Sequence, residues 1–174
     1  MLARLGLPGA RLALAMAAFS APAAAQDINA VTSRTGLVTN FDLPTIIRIL
    51  RELRLPHQVA PGSGGRFVNV NFPNGVRATV GRTACRADML TCKGMTITAR
   101  FGQGRPGWTE LDKLRRANTF NTRHSFIKAG VDEGGSFYLI RYELSDFGVS
   151  RGSIATSLLV FANLAKRFGE HLAA

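Results

Sequence analysis

Residues 114–150, LRRANTFNTRHSFIKAGVDEGGSFYLIRYELSDFGVS, set the reading of the whole chain. A helical turn ends at Asn118-Thr119-Phe120-Asn121, strand-like runs flank Asp132-Glu133-Gly134-Gly135, and Asp146-Phe147-Gly148-Val149-Ser150 opens a last helix. Residues 125–129 and 136–143 are expected to pair as a hairpin around the acidic-glycine turn. Asparagine can cap a helix or turn the backbone, so Asn118 and Asn121 are read as structural. Asp132 and Glu133 lack the run of oxygen ligands that calcium needs and are read as a solvated turn. Ser150 caps a helix on which Ile154, Leu158, Phe161, Leu164 or Ala165, and Phe168 recur along one stripe.

Upstream, Asp42 caps a helix with Pro44 in its first turn, where the missing N–H is harmless. Leu43, Ile46, Ile47, Leu50 and Leu53 recur at helical spacing and are read as a core-facing stripe. Residues 61–65 are a glycine-rich connection that leads into a strand, not a helix, which excludes a phosphate cradle. From Arg66 the period becomes two. Val68, Val70 and Phe72 alternate with asparagines, and after Asn74-Gly75 the residues Val76, Ala78 and Val80 alternate with Arg77 and Thr79. This is a hairpin, with Asn-Gly supplying the positive φ angles of its tight turn. A third strand holds Met95, Ile97, Ala99 and Phe101 on the same apolar face. The opposite face carries Thr96 and Thr98 together with Asn69, Asn71, Arg77 and Arg100, the four residues taken as a candidate binding face. Thr109 and Asp112 form a capping box for a second helix, with Leu111, Leu114, Ala117 and Trp108 along its apolar side. The elements follow the order α-β-β-β-α-β-β-α, an α+β fold in which an antiparallel sheet packs against helices.

The chain of 174 residues contains 22 Lys and Arg against 11 Asp and Glu. Residues 1–25 read as a secretory signal peptide: Arg4 and Arg11 lead, an apolar centre follows, and Ala23-Ala24-Ala25 precedes cleavage before Gln26. Its apolar run is shorter than the roughly 20 residues that cross a bilayer. Cleavage takes the formal charge from +11 to +9 and leaves a loosely ordered leader over 26–41 ahead of one domain over 42–172. The expected destination is a bacterial periplasm, or secretion. There, Cys85 and Cys92, the only cysteines, are read as a disulfide, because six intervening residues do not fit a Cys-x-x-Cys redox or zinc knuckle.

No catalytic, cofactor-binding or metal-binding set is expected: His57, His124 and His171 show no ligand or triad spacing. The Asn-x-x-Asn at Asn118 and Asn121, the strand pair around the acidic-glycine turn and Gly148-Val149-Ser150 before the last helix resemble the YbjN-like family, described as bacterial sensory transduction regulators. The resemblance covers roughly residues 40–170 and implies a fold like that of type III secretion chaperones, which bind protein segments. It departs in having Phe120 where members often have Trp. The expected function is non-enzymatic: an exported module binding another protein in a chaperone-like or regulatory way. The alternative is a basic envelope protein binding anionic lipid or glycan surfaces. No nucleic-acid partner is expected, since no aromatic-basic stacking pattern occurs, and a homodimer is left open. Export predicts a mature N-terminus at Gln26; Edman or mass-spectrometric sequencing of envelope material that finds Met1 or Leu2 would refute it.

Overall fold

The computed structural model describes residues 36–62, 65–88 and 90–174. The expected signal peptide, with Ala25 and Gln26, lies outside the described residues. Among the described residues eleven elements follow one another: β1 (Leu37–Val38), α1 (Leu43–Glu52), β2 (His57–Ala60), β3 (Phe67–Asn71), β4 (Arg77–Cys85), β5 (Cys92–Arg100), α2 (Glu110–Asn121), β6 (Lys128–Val131), β7 (Phe137–Leu144), β8 (Val149–Ser150) and α3 (Arg151–Ala173). Six strands form an antiparallel sheet in the order β2-β3-β4-β5-β7-β6, and β1 pairs with β8 apart from it. The α+β class and the alternation of helices and strands match the expectation. Three short strands exceed the expectation: β1 and β2, which precede the first hairpin, and β8 before the last helix. β2 lies between Pro56 and Pro61 and is too short to show a period, so it reads as a connection until β3 pairs with it from His57–Val70 to Ala60–Phe67.

One core fills the space between the sheet and the helices. Val68, Val70, Ala78, Val80, Met95, Ile97, Ala99, Phe137 and Leu139 point inward and are buried, as period-two alternation requires. Ile46, Ile49 and Leu50 of α1 and Ile154, Leu158, Phe161, Ala165 and Phe168 of α3 meet them. The caps behave as their residue types dictate. Asp42 Oδ1 accepts from Thr45 N at 2.7 Å, and Ser150 Oγ accepts from Ser153 N at 3.0 Å. Thr109 and Asp112 form the reciprocal capping box, whose Thr109 hydroxyl and amide hold the Asp112 carboxyl below the usual carboxylate range.

Several local expectations are corrected. The apolar side of α2 is Ala117 and Phe120, whereas Leu111 and Leu114 are exposed. The helix packs through its C-terminal half, where Phe120 lies 4.8 Å from the Phe168 ring. The strand expected over 125–129 begins at Lys128, because Arg123 and His124 still donate to the carbonyls of Phe120 and Asn121. The turn at Asn74-Gly75 has only Gly75 at positive φ. Gly75 N donates to Phe72 O and Phe72 N to Val76 O, a three-residue loop with a bulge in place of a two-residue turn. The Asp132 turn repeats this pattern with Gly135 at positive φ. Residues 37–41, expected within a loose leader, are tied down. Phe41 is fully buried and donates its N–H to Cys92 O, while Asn40 Oδ1 accepts from Cys92 N.

Cys85 and Cys92 face each other across the β4–β5 hairpin and are bonded. Closing so short a loop contributes about 2.5 kcal/mol in the chain-entropy model. α3 is the larger stabilising element, since it buries the sheet's inner face. Phe161→Ala should destabilise the protein by about 3–5 kcal/mol, read from the urea midpoint at an unchanged slope; an unaltered midpoint would contradict this packing.

Candidate functional site

The face of the sheet away from the helices follows from the same alternation that builds the core. Cross-strand register sets Gln58, Asn69, Thr79 and Thr98 in one row, continued by Ile140 and Lys128. Asn71 and Arg77 pair in the adjacent row, in which Arg100 faces Tyr138. A groove of about 900 Å³ runs over the β2–β5 half of this face. Its lining includes all four residues of the expected face, Asn69, Asn71, Arg77 and Arg100, together with Thr98. Thr96 shares the face but lies outside the groove. Pro56, His57, Gln58 and Phe67 complete one wall; the sequence reading missed His57 and Gln58 because β2 gave no periodic signal, and Phe67 because the alternating run was read from Val68.

The polar groups within the groove are not equivalent. Thr79 Oγ1 donates to Asn69 Oδ1 at 3.3 Å, and the His57 ring holds Leu55 O at 2.7 Å through Nδ1. Arg100 Nη1 meets Asp132 Oδ2 at 2.6 Å, so the acidic turn is not merely solvated but ties the rim of the groove. Asp132 Oδ1 also accepts from Ser136 N. The Arg77 side chain is exposed and has no hydrogen-bond or ion-pair partner among the described residues.

β7 inverts the usual pattern. Ile140, Tyr142 and Leu144 point outward, and Tyr142 and Leu144 are about half exposed. Arg141 and Glu143 point toward the helices, where they pair at 2.6 Å, and Ser157 Oγ of α3 donates to the same Glu143 oxygen. The outward tyrosines lean over glycines: a Cβ at Gly130 would strike the Tyr138 ring, and one at Gly94 the Tyr142 ring. Nothing in the alternation of β7 signals this inversion, because its apolar and charged residues are compatible with either face.

The histidines stay apart from any reactive pair. His124 and His171 lie against the Phe120 ring, and His57 sits at the groove wall. Among the described residues no group of three or more His, Cys, Asp or Glu could hold a metal ion. No helix among them is long and apolar enough to cross a membrane.

The two sheet edges differ. At β6, Asn121 docks on the edge: its Oδ1 accepts from Ala129 N at 2.7 Å and its Nδ2 donates to Ala129 O at 3.0 Å. The second asparagine of Asn-x-x-Asn therefore closes a strand edge and does not cap its helix. Among the described residues β2 has no such cover. Asn71 N bonds Pro56 O, so ladder alternation aims the N–H and C=O of His57 and Val59 away from β3.

A family model described as "Putative bacterial sensory transduction regulator", YbjN, matches residues 43–174. The chain belongs to the YbjN family. E. coli YbjN shares the fold at a TM-score of 0.60 and 15% identity, over 79% of this chain and 96% of that one. A protein from Methanothermobacter thermautotrophicus is similar at a TM-score of 0.57 and 11% identity, over 75% and 95% of the two chains. The Yersinia pestis type III secretion chaperone SycH, solved in complex with a fragment of YscM2, aligns at a TM-score of 0.45 and 16% identity, over 72% and 97%. No curated protein sequence matches significantly. The matched region begins at α1 and includes Asn121 and the acidic turn, so the edge closure and the groove rim both lie in the part of the chain that carries the YbjN match. Asn121→Ala should cost about 1–3 kcal/mol by stranding both backbone groups of Ala129, with faster amide exchange at Ala129; unchanged exchange there would contradict the closure.

Proposed function

We propose that this YbjN-family chain is a non-enzymatic, exported protein that binds another protein as a chaperone-like or regulatory module. The observation that carries the reading is the contrast between the sheet edges: at β6 Asn121 takes both outward backbone groups of Ala129 and α2 lies alongside, whereas at β2 the outward groups of His57 and Val59 have no partner among the described residues and lie beside a broad groove. An extended segment can add to such an edge through main-chain hydrogen bonds, while neighbouring side chains select its sequence. A four-residue edge limits non-specific pairing, the usual hazard of an open strand.

A non-enzymatic role is supported by the dispersal of the histidines, two of them against Phe120, and by the consumption of Glu143, Asp112 and Asp132 in structural pairs. Export to the periplasm is supported by the composition of residues 1–25 and fits the Cys85–Cys92 bond, since disulfides persist in oxidising compartments.

Val59→Pro removes the outward N–H while leaving the β3 ladder intact, a substitution edge strands tolerate. The variant should stay folded by circular dichroism and lose the protein captured from native envelope by the mature chain. Undiminished capture by the folded variant would exclude strand addition, and wild-type material that captures no protein would exclude the function.

A further inference from the structure

The outer face of the sheet contains cations but no carboxylate of its own. Among the outward-facing strand residues there is no Asp or Glu, whereas Arg77, Arg100 and Lys128 all lie there. Asp132 enters only at the rim and is committed to Arg100. Arg141 and Arg151, each largely shielded from solvent, also meet carboxylates, Glu143 at 2.6 Å and Glu52 at 3.0 Å. Arg77, in the groove, has no counterpart among the described residues. Its cross-strand neighbour Asn71 and the nearby Asn69 and Thr79 carry amides and a hydroxyl that can bond a peptide backbone as donor or acceptor.

We infer that the groove receives an extended acidic protein segment, with a side-chain carboxylate of that segment paired to Arg77. This rests on the protein-binding reading above and gives the partner its chemical class. Guanidinium suits the role because its planar fork can hold a carboxylate through two parallel hydrogen bonds. Arg100 contributes less, because Asp132 already occupies it. Other anions fit the groove poorly. A sugar ring or a nucleobase stacks on an open aromatic face. Here Phe67 of the lining is packed beside Gly62, the His57 ring is held on Leu55 O, and Tyr138 and Tyr142 lie outside the groove against Gly130 and Gly94.

The test uses the mature protein and fluorescently labelled extended peptides of alternating Thr and Glu, with Gln-for-Glu and Lys-for-Glu counterparts, read by anisotropy at low and high salt. The Glu peptide should bind at least about tenfold more tightly than the Gln peptide, as expected for a charge-assisted bidentate pair. That advantage should shrink with salt, because the pair is solvent-accessible. Arg77→Gln should abolish the preference, Arg77→Glu should transfer it to the Lys peptide, and Arg100→Gln should reduce it only in part. Equal binding of the Glu and Gln peptides, an unaffected Arg77→Gln variant, or no peptide binding would each overturn the inference. So would displacement of the Glu peptide by a uronate oligosaccharide or by vesicles of anionic phospholipid. Val59→Pro separates the two claims, since it should weaken every peptide alike. If the Glu preference is absent while Val59-dependent binding persists, the acidic partner falls and the strand-adding module stands.

Discussion

Burial of the sheet's inner face beneath α3 is the constraint on which the remaining structure depends. Phe161 and Phe168 are fully enclosed, and Phe168 reaches Phe101 at 5.0 Å and Phe120 at 4.8 Å, joining α2, α3 and the residue that follows β5 around one aromatic cluster. Because strand side chains alternate with a period of two, a one-residue slip would send Val68, Val70, Ala78 and Val80 into solvent. The core therefore holds the register. Once it is held, Asn69, Asn71, Arg77 and Thr79 have no place other than the outer face. The candidate binding surface is a consequence of the packing behind it.

The same packing organises the ends of the sheet. α2 lies along β6, which brings Asn121 within reach of Ala129 and satisfies both of its outward backbone groups. At the opposite edge, the turn after α1 leads directly into β2, and no helix among the described residues shields it. The first and last helices are joined by Arg151 and Glu52 across 99 residues of sequence. Asn74 in the β3–β4 turn donates to Ala162 O of α3. These long-range polar contacts place the turns and helix ends around the core without lying in the groove, so the polar residues of the outer face remain available to a ligand.

Arg141 and Glu143 show how an apparent violation of patterning is accommodated. Two charges on the helix-facing side of a strand are costly to desolvate unless paired and hydrogen-bonded. They pair with each other, and Ser157 supplies a further hydrogen bond. The exchange leaves Ile140, Tyr142 and Leu144 on the outer face beside the polar groove. That face thus has a basic, amide-rich half over β2–β5 and a half in which Ile140, Tyr142 and Leu144 predominate.

The sequence by itself determined the elements with strong local signals. Asp42, Thr109 and Ser150 announce helix starts because each supplies an oxygen to nearby backbone N–H groups, and the alternating runs of β3, β4 and β5 announce strands because one face must be apolar. The same alternation placed Asn69, Asn71, Arg77 and Arg100 on one side, and the position of Cys85 and Cys92 at either end of a strand-to-strand connection indicated their bond. Only the tertiary structure decided what depends on distant neighbours. β2 is a strand because β3 lies beside it, and Leu111 and Leu114 are exposed because α2 is buried only near Phe120. Asn121 closes an edge that does not exist until β6 forms, and Arg100 is engaged because the Asp132 turn, 32 residues later, folds against it. A residue's type and spacing state which side it prefers; which partner it meets there is set by chain segments that local periodicity cannot see.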